Sequence, residues 1–154
     1  MALLVVETPQ ALRNFLGREF GVTEWFTVTQ ERIERFAEAT EDRQWIHVDP
    51  KRAEKESPYG TTVAHGFLTL SLLSQFMKQA IQIRGGVRVV INYGLNRVRF
   101  PSPVRAGEKI RARVKLQSLT ELSDSVEAIF SCAVEAEKAG KPCCIAECIV
   151  RYYS

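Results

Sequence analysis

The sequence contains two histidines, His47 and His65, and both lie between residues 41 and 66. Asp42 precedes His47 in a stretch without regular hydrophobic spacing. On a loop, the backbone can turn a carboxylate and an imidazole at this spacing towards one point, where they hold a water molecule and transfer protons to and from it. A capping or turn interaction explains the same spacing, so spacing alone leaves both interpretations open.

A second candidate begins at His65 and Gly66, where an apolar segment with helical spacing starts. The first amides of a helix have no partner within the helix and lie at the positive end of its dipole, so the Gly66 N–H can stabilise an oxygen that gains negative charge. The alternative is an ordinary helix start with a core histidine. Ser71 and Ser74 are polar positions on this segment, and either can simply bond a carbonyl one turn back.

The hydrophobic pattern predicts the elements that position these residues. Thr8 and Pro9 begin a short helix that ends near Gly17, residues 25–28 form a short strand, and Thr29 caps a second helix. Residues 41–60 are expected to be a long irregular stretch with one helical turn near residues 51–55. Residues 63–83 are apolar nearly all round, which predicts a helix buried in the middle of the fold.

After Gly85 and Gly86 the hydrophobic period changes to two, which predicts strands at residues 87–100, 108–119, 125–137 and 142–153. The second strand has a basic row and the third carries acidic residues. These rows can pair across a solvated face, which we favour, or the basic row can bind the phosphates of a nucleotide-tailed substrate. The fold class is α+β, with an antiparallel sheet wrapped around a central apolar helix.

Composition and charge narrow the classes of function. The chain has 154 residues, of which 45% are hydrophobic and 25% charged, and this predicts one globular domain over residues 1–154. A net charge of +3 is too small to argue for a nucleic-acid partner. The apolar run at residues 1–6 is short and has no basic residue before it, so we expect neither a secretory signal nor a membrane span, and a cytoplasmic location.

The cysteines lie in the last fifth of the chain among apolar residues. Their spacing does not match paired zinc motifs, and no histidine is nearby. A disulfide or metal cluster is the alternative, but we predict buried, reduced thiols that act as small hydrophobic side chains. The four residues are Cys132, Cys143, Cys144 and Cys148.

Two stretches, residues 36–50 and 60–71, together resemble the hydratase motif of the MaoC-like family of (R)-specific enoyl-CoA hydratases. The first reads FAEATEDRQWIHVDP and the second GTTVAHGFLTLS. Residues 92–104, NYGLNRVRFPSPV, and the following Arg-Ala-Gly-Glu are similar to the subgroup of nodulation protein N. The resemblance extends from about residue 25 to the C-terminus.

The resemblance implies a homodimer of hotdog domains that adds water reversibly to a trans-2-enoyl thioester and gives the (R)-3-hydroxyacyl thioester. It implies neither a metal nor an organic cofactor, and a substrate carried on CoA or acyl carrier protein. Asp42 and His47 match the residues that hold and activate the water. The Gly66 N–H matches the donor to the thioester carbonyl, and Ser74 matches a serine on the central helix that supports the site.

The chain departs from the family pattern at Gln44 and Trp45, where many members have Asn-Pro. The large indole is expected to reshape the acyl pocket, which leaves the acyl chain length open. Two other functions remain as alternatives. A hotdog thioesterase commonly has an acidic residue on or near the central helix, and residues 63–83 contain none. A non-catalytic acyl-binding subunit would keep the fold without turnover.

Overall fold

A computed structural model describes residues 3–154, so Met1 and Ala2 of the N-terminal apolar run lie outside the described residues. The chain begins with strand β1 (Leu4–Val6), a 3-10 helix (Pro9–Phe15), and strands β2 (Glu19–Val22) and β3 (Phe26–Thr27). The short helix after Thr8 and the strand within residues 25–28 are as predicted, whereas β1 and β2 were not expected. None of the helices within residues 3–154 has the length and apolar character needed to cross a membrane.

Three helices follow on the side of the molecule that holds the candidate residues. Helix α1 (Gln30–Thr40) begins at the predicted cap, since the Thr29 hydroxyl accepts a hydrogen bond from the Arg32 amide. The stretch expected to be largely irregular contains α2 (Trp45–Val48) and α3 (Pro50–Glu56). Asp49 caps α3 by accepting from the Arg52 amide at 3.0 Å, with Pro50 in the first turn. The helical turn predicted near residues 51–55 is confirmed as α3, whereas α2 was not expected, so the prediction of an otherwise irregular stretch over residues 41–60 is wrong in extent.

Helix α4 (Gly66–Ala80) leads directly into strand β4 (Ile81–Ile83), which pairs in parallel with β1. One face of α4 lies in the core, with Leu68, Leu73 and Phe76 buried. The opposite face is open, and Phe67 is 69% exposed. The prediction that α4 is buried all round is wrong for a single chain. The sheet covers one face of the helix, and nothing else within residues 3–154 covers the other face.

The C-terminal half forms the predicted strands, with bounds that agree to within two residues. They are β5 (Val89–Arg99), β6 (Lys109–Glu121), β7 (Ser125–Ala136) and β8 (Cys144–Tyr153). Together with β2 and β3 they form one antiparallel sheet in the order β2-β6-β7-β8-β5, in which β3 also pairs with β6. The inward side chains of β6 and β7 alternate with outward polar ones and pack against α4. The α+β class and the sheet around the apolar helix are confirmed.

The outer face of the sheet carries the charged rows. Arg111 and Glu135 are opposite each other in the β6–β7 register and form an ion pair, and Arg113 lies between Glu135 and Glu19. This confirms the structural interpretation of the rows, because the acidic and basic side chains neutralise each other across adjacent strands.

The cysteines lie in the sheet and beside it as free thiols. Burial is the main cause that raises the pKa of the Cys143 and Cys144 thiols, to about 12 for each. The Cys143 thiol donates to the Val134 carbonyl at 3.3 Å. Thiols with pKa values this high stay protonated near neutrality and are poor nucleophiles, which supports a structural role.

Candidate functional site

Asp42 and His47 lie on consecutive short segments after α1. Helix α1 ends at Glu41, whose φ of +61° turns the chain sharply, and Asp42 follows with its side chain 55% exposed. His47 lies in α2 and is buried. Gln30 fixes this helix, because its side-chain amide donates to the His47 carbonyl at 2.8 Å and accepts from the Thr62 hydroxyl. The structure thus brings together an exposed carboxylate and a buried imidazole.

The His47 ring has a defined tautomer. Its Nδ1 lies 2.6 Å from the Val63 carbonyl, which only accepts hydrogen bonds, so Nδ1 carries the proton and Nε2 keeps a lone pair. The pKa of His47 is lowered, mainly because burial disfavours the charged imidazole. The hydrogen bond to Val63 acts in the opposite direction and raises the pKa. Among the neighbouring side chains, His65 lowers the pKa and Asp42 raises it. His47 is therefore a neutral base at neutral pH.

His65 is the third member of the cluster. Its ring stacks on that of His47, with centroids 3.8 Å apart and planes 23° from parallel. Its Nε2 donates to the backbone carbonyl of Asp42 at 2.9 Å and lies 4.0 Å from the Asp42 carboxylate. The sequence predicted a core histidine, and His65 is only 3% exposed, but its contact with Asp42 was not foreseen.

Asp42, His47 and His65 each offer an atom that can bind metal, and these atoms lie within 4.8 Å of one another. However, each imidazole already donates one nitrogen's proton to a carbonyl. An ion between two nearly parallel rings would also lie out of both ring planes, whereas imidazole binds metals through an in-plane lone pair. The geometry suits a hydrogen-bonded water better than a metal ion.

Gly66 begins α4 beside this cluster. No side chain of the described residues caps the start of α4. The Leu68 and Thr69 amides bond to the His65 carbonyl, which leaves the Gly66 and Phe67 amides for a ligand. Gly66 lines a cleft of about 290 Å³ together with His47, Val63 and Phe100. A Cβ atom on Gly66 would lie 2.9 Å from the Phe100 ring, so glycine allows the ring to approach the backbone closely. Phe100 was not identified from the sequence.

Ser74 lies elsewhere. It follows Gly66 by about 12 Å along the helix axis, and its hydroxyl accepts a hydrogen bond from the Asn92 amide at 3.0 Å. The pair lines a groove between α4, β5 and β8 that is otherwise mostly apolar, with Met77 and Val150 in its walls and a volume of about 390 Å³. The structure does not bring Ser74 into the cleft that His47 and Gly66 line. Asp42 is not among the lining residues of this cleft either, but its backbone carbonyl bonds to His65, directly before Gly66. Ser71 bonds the Phe67 carbonyl one turn back.

Trp45 is not among the residues that line the cleft, so its expected effect on the acyl pocket stays a prediction. It is the first residue of α2, and the guanidinium of Arg52 lies over its ring at 4.4 Å. This cation–π contact joins α2 to α3. The neighbouring Ile46, and not Trp45, is among the residues that line the cleft.

Comparison with known proteins gives a consistent set of relatives. Residues 12–136 match the model of the MaoC like domain. The chain is 50% identical over 137 residues to 3-hydroxyacyl-thioester dehydratase Z from Mycobacterium tuberculosis, which covers 88% of this chain and 89% of that protein. It is 44% identical over 128 residues to nodulation protein N from Rhizobium leguminosarum bv. viciae, covering 82% of this chain and 80% of that protein.

Among solved structures, the chain is similar to an (R)-hydratase from A. caviae involved in PHA biosynthesis. The TM-score is 0.70 at 24% identity, and the match covers 88% of this chain and 94% of that chain. At this identity the similarity establishes the fold alone, which is the hotdog arrangement expected from the sequence.

Proposed function

The chain belongs to the MaoC-like dehydratase family, as its two-part motif predicted, and on this premise we propose that it is a hydro-lyase acting on acyl thioesters. Specifically, it adds water reversibly to a trans-2-enoyl thioester and forms the (R)-3-hydroxyacyl thioester. The observation that carries the proposal is the placement of a base, a carboxylate and uncapped helix amides around the start of α4.

Asp42 and His47 hold the water. The lone pair of His47 Nε2 accepts one proton, and the Asp42 carboxylate accepts a hydrogen bond from the other. As His47 removes the proton, the water oxygen forms its bond to C3 of the enoyl group and the π electrons move towards the thioester oxygen. C2 then takes a proton from the Asp42–His47 pair, so the pair ends in its starting state. Dehydration is the same sequence in reverse.

The start of α4 stabilises the enolate that forms in this step. The Gly66 N–H donates to the thioester oxygen, where negative charge develops, and the helix dipole favours that charge. The Phe100 ring lies against Gly66 and fills the space that a side chain there would need.

The groove along α4 is suited to the acyl chain. A second hollow of about 280 Å³, whose lining includes Leu70 and Leu73, shares Ser74 and Asn92 with this groove. A substrate with its carbonyl at Gly66 can extend along the helix through this hollow towards the Ser74–Asn92 pair. At about 12 Å from Gly66 along the axis, this pair lies much further than a crotonyl group reaches. Ser74 then contacts the middle of a longer acyl chain and has no part in the water chemistry.

We propose that a second copy of the chain covers the open side of α4. Strand β5 pairs with β8 along one edge, and its other edge meets no strand within residues 3–154. Exposed apolar side chains lie along this strand and on α4, and they include Val90, Tyr93, Leu95 and Phe67. An exposed apolar edge favours pairing with the same edge of a second copy. Light scattering at micromolar concentration should give twice the 17.4 kDa of one chain, and a monomer mass would contradict this.

The hydratase assay uses crotonyl-CoA and a longer trans-2-enoyl-CoA, with enoyl absorbance and free thiol followed together. Loss of absorbance without free thiol, and a product with the (R) configuration, is the expected result. Release of free thiol would instead identify a thioesterase. No change with either substrate would favour an acyl-binding subunit, and both outcomes would overturn the proposal.

A further inference from the structure

We propose that His65 is a positioning residue that holds Asp42 in place, through the hydrogen bond from its Nε2–H to the Asp42 backbone carbonyl. The inference rests on the hydratase function proposed above. It gives the second histidine a defined task, since His65 makes no direct contact with the water in the mechanism and acts through Asp42.

Asp42 needs such support because the backbone around it makes few hydrogen bonds of its own. It lies between the end of α1 and the start of α2, directly after the positive φ at Glu41. Next to Asp42, the Arg43 amide donates a hydrogen bond to the Glu41 carbonyl and closes a tight turn. The Arg43 side chain does not contact Asp42 but donates to the Glu38 carboxylate. Within residues 3–154, His65 supplies the side-chain hydrogen bond to Asp42.

His65 itself is rigidly held. Its ring lies between Phe36, with centroids 5.0 Å apart, and the stacked ring of His47, and it is almost completely buried. It also occupies the cap position of α4, directly before Gly66. One side chain therefore connects the loop of the water-holding carboxylate to the helix start that receives the thioester oxygen, and this connection sets the distance between the two reacting positions.

Packing alone does not explain an imidazole at this position. The other ring nitrogen, Nδ1, is buried and has no hydrogen-bond partner among the described residues. Burying an unpaired polar atom is unfavourable, and a phenyl ring would fill a similar space without it. The Nε2–H donor is what the imidazole contributes and a phenyl ring does not.

Two variants separate the hydrogen bond from the packing. His65→Phe keeps an aromatic ring against Phe36 and His47 but loses the donor. His65→Gln loses the ring but keeps an amide donor at a similar reach. We expect His65→Phe to fold and to lose about 10²-fold in kcat with little change in KM, the order of loss for a misplaced catalytic group. His65→Gln should keep kcat within about 5-fold, although it is the less well packed variant.

A purely structural role predicts the opposite order, in which activity follows packing and His65→Phe is the better enzyme. That order would overturn the proposal. His65→Leu removes the donor as well, and it replaces His65→Phe in the comparison if the phenyl variant does not fold.

The route through Asp42 is tested by combining variants. If His65 acts by placing the Asp42 carboxylate, His65→Phe should have little further effect in an Asp42→Asn background, because the group that it positions has lost its charge. An equal fold-loss in both backgrounds would show that His65 acts elsewhere and would contradict the proposal.

A measurement without substrate keeps this inference separate from the hydratase assignment. The ¹³C shift of the Asp42 carbonyl reports its hydrogen bond, and it should change in His65→Phe and be largely retained in His65→Gln. An unchanged shift in His65→Phe overturns the inference whatever the enzyme does. An inactive wild-type chain overturns the proposed function, and with it the catalytic purpose of the hydrogen bond, but not the bond itself.

Discussion

The two ends of α4 differ in almost every property that matters to a substrate. At the start of the helix, polar groups converge within a small volume: the uncapped Gly66 amide, the stacked imidazoles of His47 and His65, and the Asp42 carboxylate. Further along, the walls are mainly apolar, and the Ser74–Asn92 pair is a polar contact among them. Under the proposed function, the start of the helix carries the chemistry and the part further along selects the substrate, so changes at the start should alter kcat and changes further along should alter KM.

The largest effect is expected at the Asp42–His47 pair. Asp42→Asn and His47→Gln are nearly isosteric, so both should fold, and each should lower kcat by roughly 10² to 10⁴, the range for loss of a positioned acid or base. Because both groups act on one water, the double variant should be little worse than the worse single variant. His65→Gln is the matched control. A folded Asp42→Asn enzyme with wild-type kcat would contradict the assignment of the chemistry to the start of α4.

A methyl group at the helix start should have the next largest effect. In Gly66→Ala the new Cβ meets the Phe100 ring at 2.9 Å, so the ring or the helix start must shift. We expect a loss of about 10²-fold in kcat, the order of loss for a misplaced catalytic donor. Adding Phe100→Ala should restore part of the rate by making room for the methyl group. Failure of this second substitution to restore any activity would show that the contact with Phe100 is not the cause.

Filling the groove should change the selection of substrate and not the chemistry. Ser74→Leu removes the hydrogen bond with Asn92 and adds bulk between α4 and β5. KM for a long-chain enoyl-CoA should rise about 10-fold, in line with the cost of a poorly fitting methylene, while kcat for crotonyl-CoA stays unchanged. Gln75→Leu, at an exposed position of α4 that lines neither the cleft nor the groove, is the comparison variant. A drop in kcat for crotonyl-CoA in Ser74→Leu would place Ser74 in the water chemistry after all.

The pH dependence tests the state of His47. Burial lowers its pKa below the usual 6.5, and only the neutral imidazole can accept the proton from water. kcat/KM should therefore fall with decreasing pH, with an apparent pKa below 6.5, and the residual activity of His47→Gln should lack this limb. The unfolded chain protonates His47 first, so the free energy of unfolding should decrease as pH falls through 6.5 towards the folded-state pKa. A limb centred above 6.5 would contradict the assignment.

The smallest effect is expected at the thiols, because none of them takes part in the proposed chemistry, although Cys143 is among the residues that line the cleft at the helix start. Cys143→Ser with Cys144→Ala should leave the hydration rate nearly unchanged in protein that still folds, and so should a chelator. Thermal unfolding of the same variant gives the control for folding, because both side chains are buried. A large loss of activity on chelation alone would point to a metal.

The elements that sequence predicted well are those with a strong local signal. Alternation along β6 and β7 follows from one buried and one solvated face, and Thr29 caps α1 because its hydroxyl accepts from a helix amide. Helix α2 was not predicted because four residues, Trp45–Val48, are too few to show a helical period. Asp49 and Pro50 did carry a usable signal for α3, namely a cap followed by proline in the first turn.

The site was predictable in its members but not in its connections. Asp42 and His47 are close in sequence, so a loop was enough to bring them together. The bond from His65 to Asp42 joins residues that are 23 positions apart, and no local pattern reports such a contact. Ser74 was placed with the site because it matches a serine on the family's central helix, but 1.5 Å per residue puts it two turns away from Gly66. Hydrophobicity showed that α4 is apolar but not that one of its faces is left open by the rest of residues 3–154.

In the dimer proposed above, a second copy pairs with the edge of β5 that meets no strand within residues 3–154, and the stability of the protein then depends on its concentration. Once two copies share the edge, unfolding a chain also means separating it from its partner, and the two processes become one equilibrium. Dilution then favours the unfolded chain, and a higher protein concentration favours the folded dimer. The melting temperature of such a dimer depends on the protein concentration as well as on the sequence.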